Sequence, residues 1–91
     1  MLTPEKSKQF RKDQEKAKKQ GKDFKKLNIV IKLLIMQESL PPKQCDHPLS
    51  GDYKGYRDCH IENDWVLVYR INLETKTLLL QRLGSHSELF K

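Results

Sequence analysis

Residues 55–83 read GYRDCHIENDWVLVYRINLETKTLLLQRL, and the fold turns on them. Three runs rich in aromatic and branched side chains, Tyr56 to Glu62, Trp65 to Ile71 and Thr77 to Leu83, are separated by Asn63-Asp64 and by Asn72 to Lys76. Such side chains fit a pleated, half-buried surface, and both gaps are short enough for hairpin turns, so the runs predict an antiparallel meander. Alternation across a strand puts Tyr56, Asp58, His60 and Glu62 on one face, and Arg57, Cys59 and Ile61 on the other. The polar set suits an open face and the apolar set a core. On the last run Leu78, Leu80 and Arg82 share a face opposite Leu79, Gln81 and Leu83. The pattern does not choose which of these is buried, although Arg82 is easiest to place on the open side.

Working outward, Glu5 to Gln20 has no Pro or Gly and is rich in good helix formers, with Phe10, Ala17 and Gln14 as a thin seam. It predicts a highly exposed helix. Gly21 supplies a left-handed C-terminal cap, and Asp23 is placed to cap a second helix through its side-chain oxygen. In that helix Phe24, Leu27, Ile31, Leu34 and Ile35 recur at helical spacing, widened by Val30 and Leu33, and it ends by Ser39 because Pro41 and Pro42 cannot continue it. Residues 41–55 are loop chemistry, and Leu2-Thr3 could add a short first strand next to Pro4. The chain therefore divides into a basic helical part (1–40), a loop (41–55), and a sheet with a C-terminal tail (56–91) ending in Leu89 and Phe90. The order predicts an α+β fold with two N-terminal helices packed on one face of a small antiparallel sheet. Nothing in the sequence is left to cover the other face, which makes that face the expected binding surface.

The 91 residues suffice for one domain that buries about two-thirds of its unfolded surface. They hold 18 Lys and Arg against 12 Asp and Glu, a net charge of +6. Residues 1–32 account for all of that excess, with 11 basic against 4 acidic side chains, whereas the rest is balanced at 7 against 8. Such a segment is either a solvated helix face or an electrostatic footprint for nucleic acid or an acidic protein. No apolar run approaches the roughly 18 residues of a membrane span. No secretory leader is evident, and two cysteines, Cys45 and Cys59, make no disulfide framework, so a cytoplasmic protein is expected.

Three histidines can converge on such a sheet: His47 in the loop, His60 on the first long strand and His86 just after the last. Near Asp58, Asp64 and Arg82 they could serve as general base and general acid at a phosphodiester without a metal, with Arg82 stabilising the charge that grows on phosphoryl oxygens. A zinc site would use Cys45, His47, Cys59, His60 and His86. Its spacing is unfavourable, because Cys59 and His60 are strand neighbours that point to opposite faces and no Cys-x-x-Cys pair exists. No nucleophile elbow or phosphate-cradling glycine loop is present. Trp65 either packs in the core or stacks on a base. Phe90 is either a stacking platform for an unpaired nucleobase or, with Leu89, a plug for the core.

Asp46-His47-Pro48-Leu49-Ser50-Gly51, Gly55-Tyr56-Arg57-Asp58-Cys59-His60-Ile61, Asp64-Trp65-Val66-Leu67-Val68-Tyr69 and Arg82-Leu83-Gly84-Ser85-His86-Ser87-Glu88-Leu89-Phe90 together resemble the YafQ branch of the RelE toxin superfamily. The resemblance implies a RelE-like fold and the toxin of a type II toxin–antitoxin pair, a ribosome-dependent endoribonuclease that cuts messenger RNA in the ribosomal A site. In that family the ribose 2′-hydroxyl attacks the adjacent phosphate with no metal or other cofactor. Family catalytic positions carry over to His47, Asp58, His60, Asp64, His86 and Phe90. The expected roles are His47 or His60 as base, His86 as acid, Asp58 and Asp64 orienting imidazoles, and Phe90 stacking on a splayed base. The expected RNA contacts are Arg82, Lys54, Trp65, Lys18, Lys19 and Lys22. The implied partners are the ribosome, its message and an antitoxin with an acidic contact segment, the pair binding operator DNA through the antitoxin. Two alternatives remain open: a gyrase-poisoning toxin of the same fold, whose relatives lack the three histidines, and a basic helical module that merely binds nucleic acid.

Overall fold

The computed structural model describes residues 1–90. Strand β1 (Thr3–Lys6) leads into helix α1 (Lys8–Lys19), helix α2 (Phe24–Ile35), a two-residue strand β2 (His47–Pro48), then β3 (Arg57–Glu62), β4 (Trp65–Asn72), β5 (Thr77–Gly84) and a short helix α3 (His86–Leu89). The five strands lie in the order β1-β5-β4-β3-β2. The central three form the expected meander, β2 adds antiparallel to β3, and β1 adds parallel to β5 with Thr3 opposite Thr77. Pro4 is tolerated in β1 because that strand is at the sheet edge.

Local chemistry sets the helix ends. Ser7 caps α1 by accepting from Phe10 N at 2.9 Å, and Asp23 caps α2 by accepting from Lys25 N at 3.0 Å. Gly21, at φ 74°, closes α1, where Lys22 N–H reaches back to the Ala17 carbonyl. The second helix stops at Ile35, short of Ser39, because Gln37 takes the left-handed conformation (φ 58°) and Glu38 N–H turns back to the Leu33 carbonyl. The prolines lie beyond this stop and do not cause it. The 41–55 segment is more ordered than its composition suggests, with 3₁₀ turns at Pro42–Gln44 and Gly51–Tyr53 on either side of β2.

One face of the sheet carries both long helices. Phe10 and Ala17 from α1 and Leu27, Val30 and Leu34 from α2 pack with Cys59, Ile61, Trp65, Leu67, Tyr69, Leu78, Leu80 and Leu83. The opposite face is not bare, contrary to the expectation from the sequence. Val66 and Val68 are fully buried there with Leu89, and Leu49, Tyr53, Tyr56 and Phe90 pack against them. The reason lies in β4, whose run Trp65–Tyr69 is apolar on both faces and so needs cover on both sides.

Two register shifts redirect side chains. Between His60 and Glu62 the pairing skips Ile61, so Glu62 lies opposite Trp65 and its carboxylate meets Lys26 of α2 at 3.3 Å. Glu62 thus leaves the face of Asp58 and His60 on which simple alternation places it. In β5 the pairing passes from Leu80 opposite Tyr69 to Arg82 opposite Val68, leaving Gln81 unpaired. That bulge separates Arg82 from Leu78 and Leu80 and lets Leu83 join them in the helix-side core.

Candidate active site

On the face away from the helices, β2, β3, the β3–β4 turn and α3 bring the histidines together. His47 pairs with Asp58 across β2 and β3, and its Nδ1 lies 3.1 Å from Asp58 Oδ1 and 2.7 Å from the Cys45 carbonyl. The Cys45 carbonyl is the nearer of the two oxygens, and Asp58 Oδ1 is buried without a hydrogen-bond partner. Asp58 is 2% exposed. Burial pushes its carboxyl up from the ordinary range, opposed by the positive charge that His47, His60 and His86 can carry.

Two residues along β3, the His60 ring lies 4.9 Å from the His86 ring, centroid to centroid. Gln44, a buried polar residue that the sequence does not single out, donates its Nε2 to the His60 carbonyl at 2.8 Å and ties the strand to the loop. His86 opens α3, whose N-cap Ser85 and Glu88 form a reciprocal capping box. The spacing Ser85-x-x-Glu88 is a readable signal for this turn of helix, in place of the plain polar turn that the composition suggests. Asp64 Oδ1 accepts both from the His86 backbone N–H at 3.0 Å and from its ring Nδ1 at 2.9 Å. Those bonds hold the Asp64 carboxyl below its usual value, with the backbone N–H the largest cause. A carboxylate at Nδ1 orients the ring, stabilises its cation and leaves Nε2 to face a reactant.

Phe90 follows α3, half-buried, 6.0 Å from the His86 ring and edge-on to Tyr53 at 5.7 Å. Leu89 is buried against Val66 and Val68, so the tail both plugs this face and presents an aromatic beside a histidine. Asp46, one residue before His47, accepts from Tyr69 Oη at 2.6 Å and Arg57 Nε at 3.2 Å, which pins the loop to the sheet. Burial pushes up the Cys59 thiol, which stays protonated inside the core, while Cys45 is exposed.

The expected RNA-contacting residues divide. Lys18, Lys19 and Lys54 are exposed, and Lys22 sits at the turn between the long helices, bordering Asp64 and Trp65. Trp65 is no stacking platform: it is 2% exposed, edge-on to Phe24 at 5.8 Å, with Lys22 Nζ over its ring at 5.8 Å. Its place at the start of β4, before Val66 turns to the other face, commits it to the helix-side core. Arg82 does lie opposite Val68, but Nε and Nη2 donate to Asp13 of α1 at 2.8 and 3.4 Å. In sequence Asp13 is indistinguishable by type from the other acids of a lysine-rich helix. Its position three residues after Phe10 and four before Ala17, on the buried stripe, is the available signal.

Two histidines each set beside a carboxylate, a third in ring contact and an aromatic at the rim form an acid–base constellation rather than a surface scatter. Residues 2–91 match the family model for the bacterial toxin of type II toxin–antitoxin systems, YafQ. The chain belongs to the YafQ toxin family. It is 46% identical over 83 residues to the mRNA interferase toxin YafQ of Escherichia coli K12, covering 90% of this chain and 88% of that one. A metal-bound toxin from Helicobacter pylori is 50% identical with a TM-score of 0.93, covering 99% of this chain and all of that one. YafQ in the E. coli DinJ–YafQ complex is 42% identical with a TM-score of 0.90, over the full length of both. In this YafQ-family chain, no three His, Cys, Asp or Glu side chains among the described residues gather closely enough to hold an ion. Also among the described residues, no helix is long and apolar enough to cross a membrane.

Proposed function

We propose that this toxin is an mRNA interferase, a ribosome-dependent endoribonuclease that cuts messenger RNA in the A site and so stops translation in the cytoplasm. The observation that carries the reading is the grouping of His47, His60 and His86 with Asp58 and Asp64, in a family whose E. coli member is named an mRNA interferase. His47 or His60 removes the proton of a ribose 2′-hydroxyl, which attacks the neighbouring phosphate. His86, its cation stabilised by Asp64, protonates the leaving 5′-oxygen. Asp58 acts on His47 through its charge, 3.1 Å from Nδ1, while the Cys45 carbonyl, 2.7 Å away, fixes the ring. Phe90 stacks on a base splayed from the message. Arg82, held by Asp13, adds positive charge behind the phosphate, and Lys18, Lys19, Lys22 and Lys54 meet RNA backbone. The route needs no metal. The partner that silences it is an antitoxin with an acidic contact segment, the complex binding operator DNA through the antitoxin.

The test expresses wild type, His86→Ala and the triple His47→Ala/His60→Ala/His86→Ala chain and maps RNA ends on translated messages. Wild type should cut with chelator present, and removal of His86 should lower the rate by about 10²-fold or more. Undiminished cleavage and growth arrest by His86→Ala would sink the assignment.

A further inference from the structure

The lysines of α1 surround one carboxylate with a different task. Asp13 lies on the stripe of Phe10 and Ala17, 8% exposed, where a charge without partners is costly. It has four donors: Arg82 Nε at 2.8 Å, Arg82 Nη2 at 3.4 Å, Leu83 N at 3.0 Å and Gln9 Nε2 at 3.1 Å. Arg82 and Leu83 directly follow Gln81, the unpaired residue of the β5 bulge, and Ser7 Oγ, the cap of α1, donates to the Gln81 carbonyl at 2.8 Å. A turn further along α1, Lys16 forms an ion pair with Glu88. The other oxygen of Glu88 accepts Ser85 N–H at 2.9 Å, which closes the capping box of α3. These contacts hold the Glu88 carboxyl down to about 2, Lys16 first and the Ser85 N–H second.

One helix therefore grips the chain at residues 81–83 and again at 88, and His86 lies between the two grips. Gly84 leaves little slack, since a Cβ there would meet Glu88 Oε1 at 3.1 Å and Leu89 Cδ2 at 3.3 Å. We infer that Asp13 is a positioning residue for His86, fixing the β5 bulge that aims α3, and that Lys16 extends the same brace to the capping box. Asp13 touches no reacting atom, and the inference rests on His86 being the general acid. A displacement of about 1 Å at such a group can cost about 10²-fold in rate.

The experiment uses full-length Asp13→Ala, Lys16→Met and His86→Ala chains in a purified translation system, reading single-turnover cleavage at saturating ribosomes, ribosome affinity, and the imidazole NMR signals of His86 and His47. Asp13→Ala should slow cleavage at least ~10-fold, with affinity within about 2-fold, and should move the His86 signals while leaving those of His47 in place. Lys16→Met should do the same more weakly, by ~2–5-fold, the size expected of an exposed ion pair. A folded Asp13→Ala chain with unmoved His86 signals would overturn the inference, whether its rate is normal or falls in step with affinity. If Asp13→Ala does not fold, the exposed Lys16 position decides, and unmoved His86 signals with an unchanged rate there would overturn it. A His86→Ala chain that cleaves normally would remove the acid role itself and leave the NMR test of the brace intact.

Discussion

Against its helices the sheet buries Trp65, Leu67, Tyr69, Leu78, Leu80 and Leu83 under two long amphipathic elements, whereas on its other face the buried apolar cluster is Val66, Val68 and Leu89, beneath a loop and a four-residue helix. The thick side supplies stability through area removed from water. The thin side is covered just enough to satisfy β4 and keeps His47, His60, His86 and Asp64 within reach of solvent, where a substrate can meet them. The two are mechanically linked through β3, since Cys59 and Ile61 are locked in the helix-side core and thereby fix Asp58 and His60, which alternate with them. The candidate catalytic groups borrow rigidity from a core they do not belong to.

This contrast can be broken most directly at β4. Trp65→Ala should destabilise the protein by about 3–5 kcal/mol, a large share of the roughly 5–15 kcal/mol available to a small domain. Urea denaturation measures it, and a loss no larger than that of Phe90→Ala would erase the distinction between the faces. At Asp58 stability and activity should part. Its carboxyl is raised by burial, so the folded chain holds that proton more tightly than the unfolded one, and stability is lost as pH rises above the ordinary aspartate range. Asp58→Asn should therefore raise the melting temperature at pH 7 while slowing cleavage by about 10²-fold. An unchanged rate would remove Asp58 from the mechanism.

The next effect separates docking from chemistry. Replacing Lys18, Lys19 and Lys22 with Gln should weaken ribosome binding and lower the log–log salt slope by about one unit for each phosphate that is no longer neutralised, with cleavage at saturation preserved. The smallest effect concerns Glu88, whose lowered carboxyl contributes stability above its ordinary value of 4.5 that fades as pH falls toward about 2. Lys16→Met should blunt that acid sensitivity in a pH-dependent melting series.

Much of the fold is legible in the chain because short-range rules decide it. Asp23, Gly21 and the stripe of Leu27, Val30 and Leu34 announce α2 and its neighbour, and strand alternation correctly sends Cys59 and Ile61 inward. What escapes such rules depends on register. The skips at Ile61 and Gln81 carry no residue signature, yet they move Glu62 to α2 and Arg82 away from Leu80. Trp65 reads as an RNA contact because it lies next to the turn, but its ring is buried against Phe24 while the neighbouring Asp64 stays exposed and bonds His86. Asp13 is hidden because a count of charges cannot tell a buried acid from a solvated one.

Strand β1 sits beside β5, with Thr3 opposite Thr77 and Lys6 opposite Leu80. During synthesis residues 3–6 therefore have no sheet partner until residues 77–80 have emerged. The loop closed by that pairing is almost as long as the domain, so the sheet is completed late and folding is slow relative to a helical bundle of this size. His86 and Phe90 lie later still. Until those residues emerge the candidate site is incomplete, and that interval is open to an antitoxin already present.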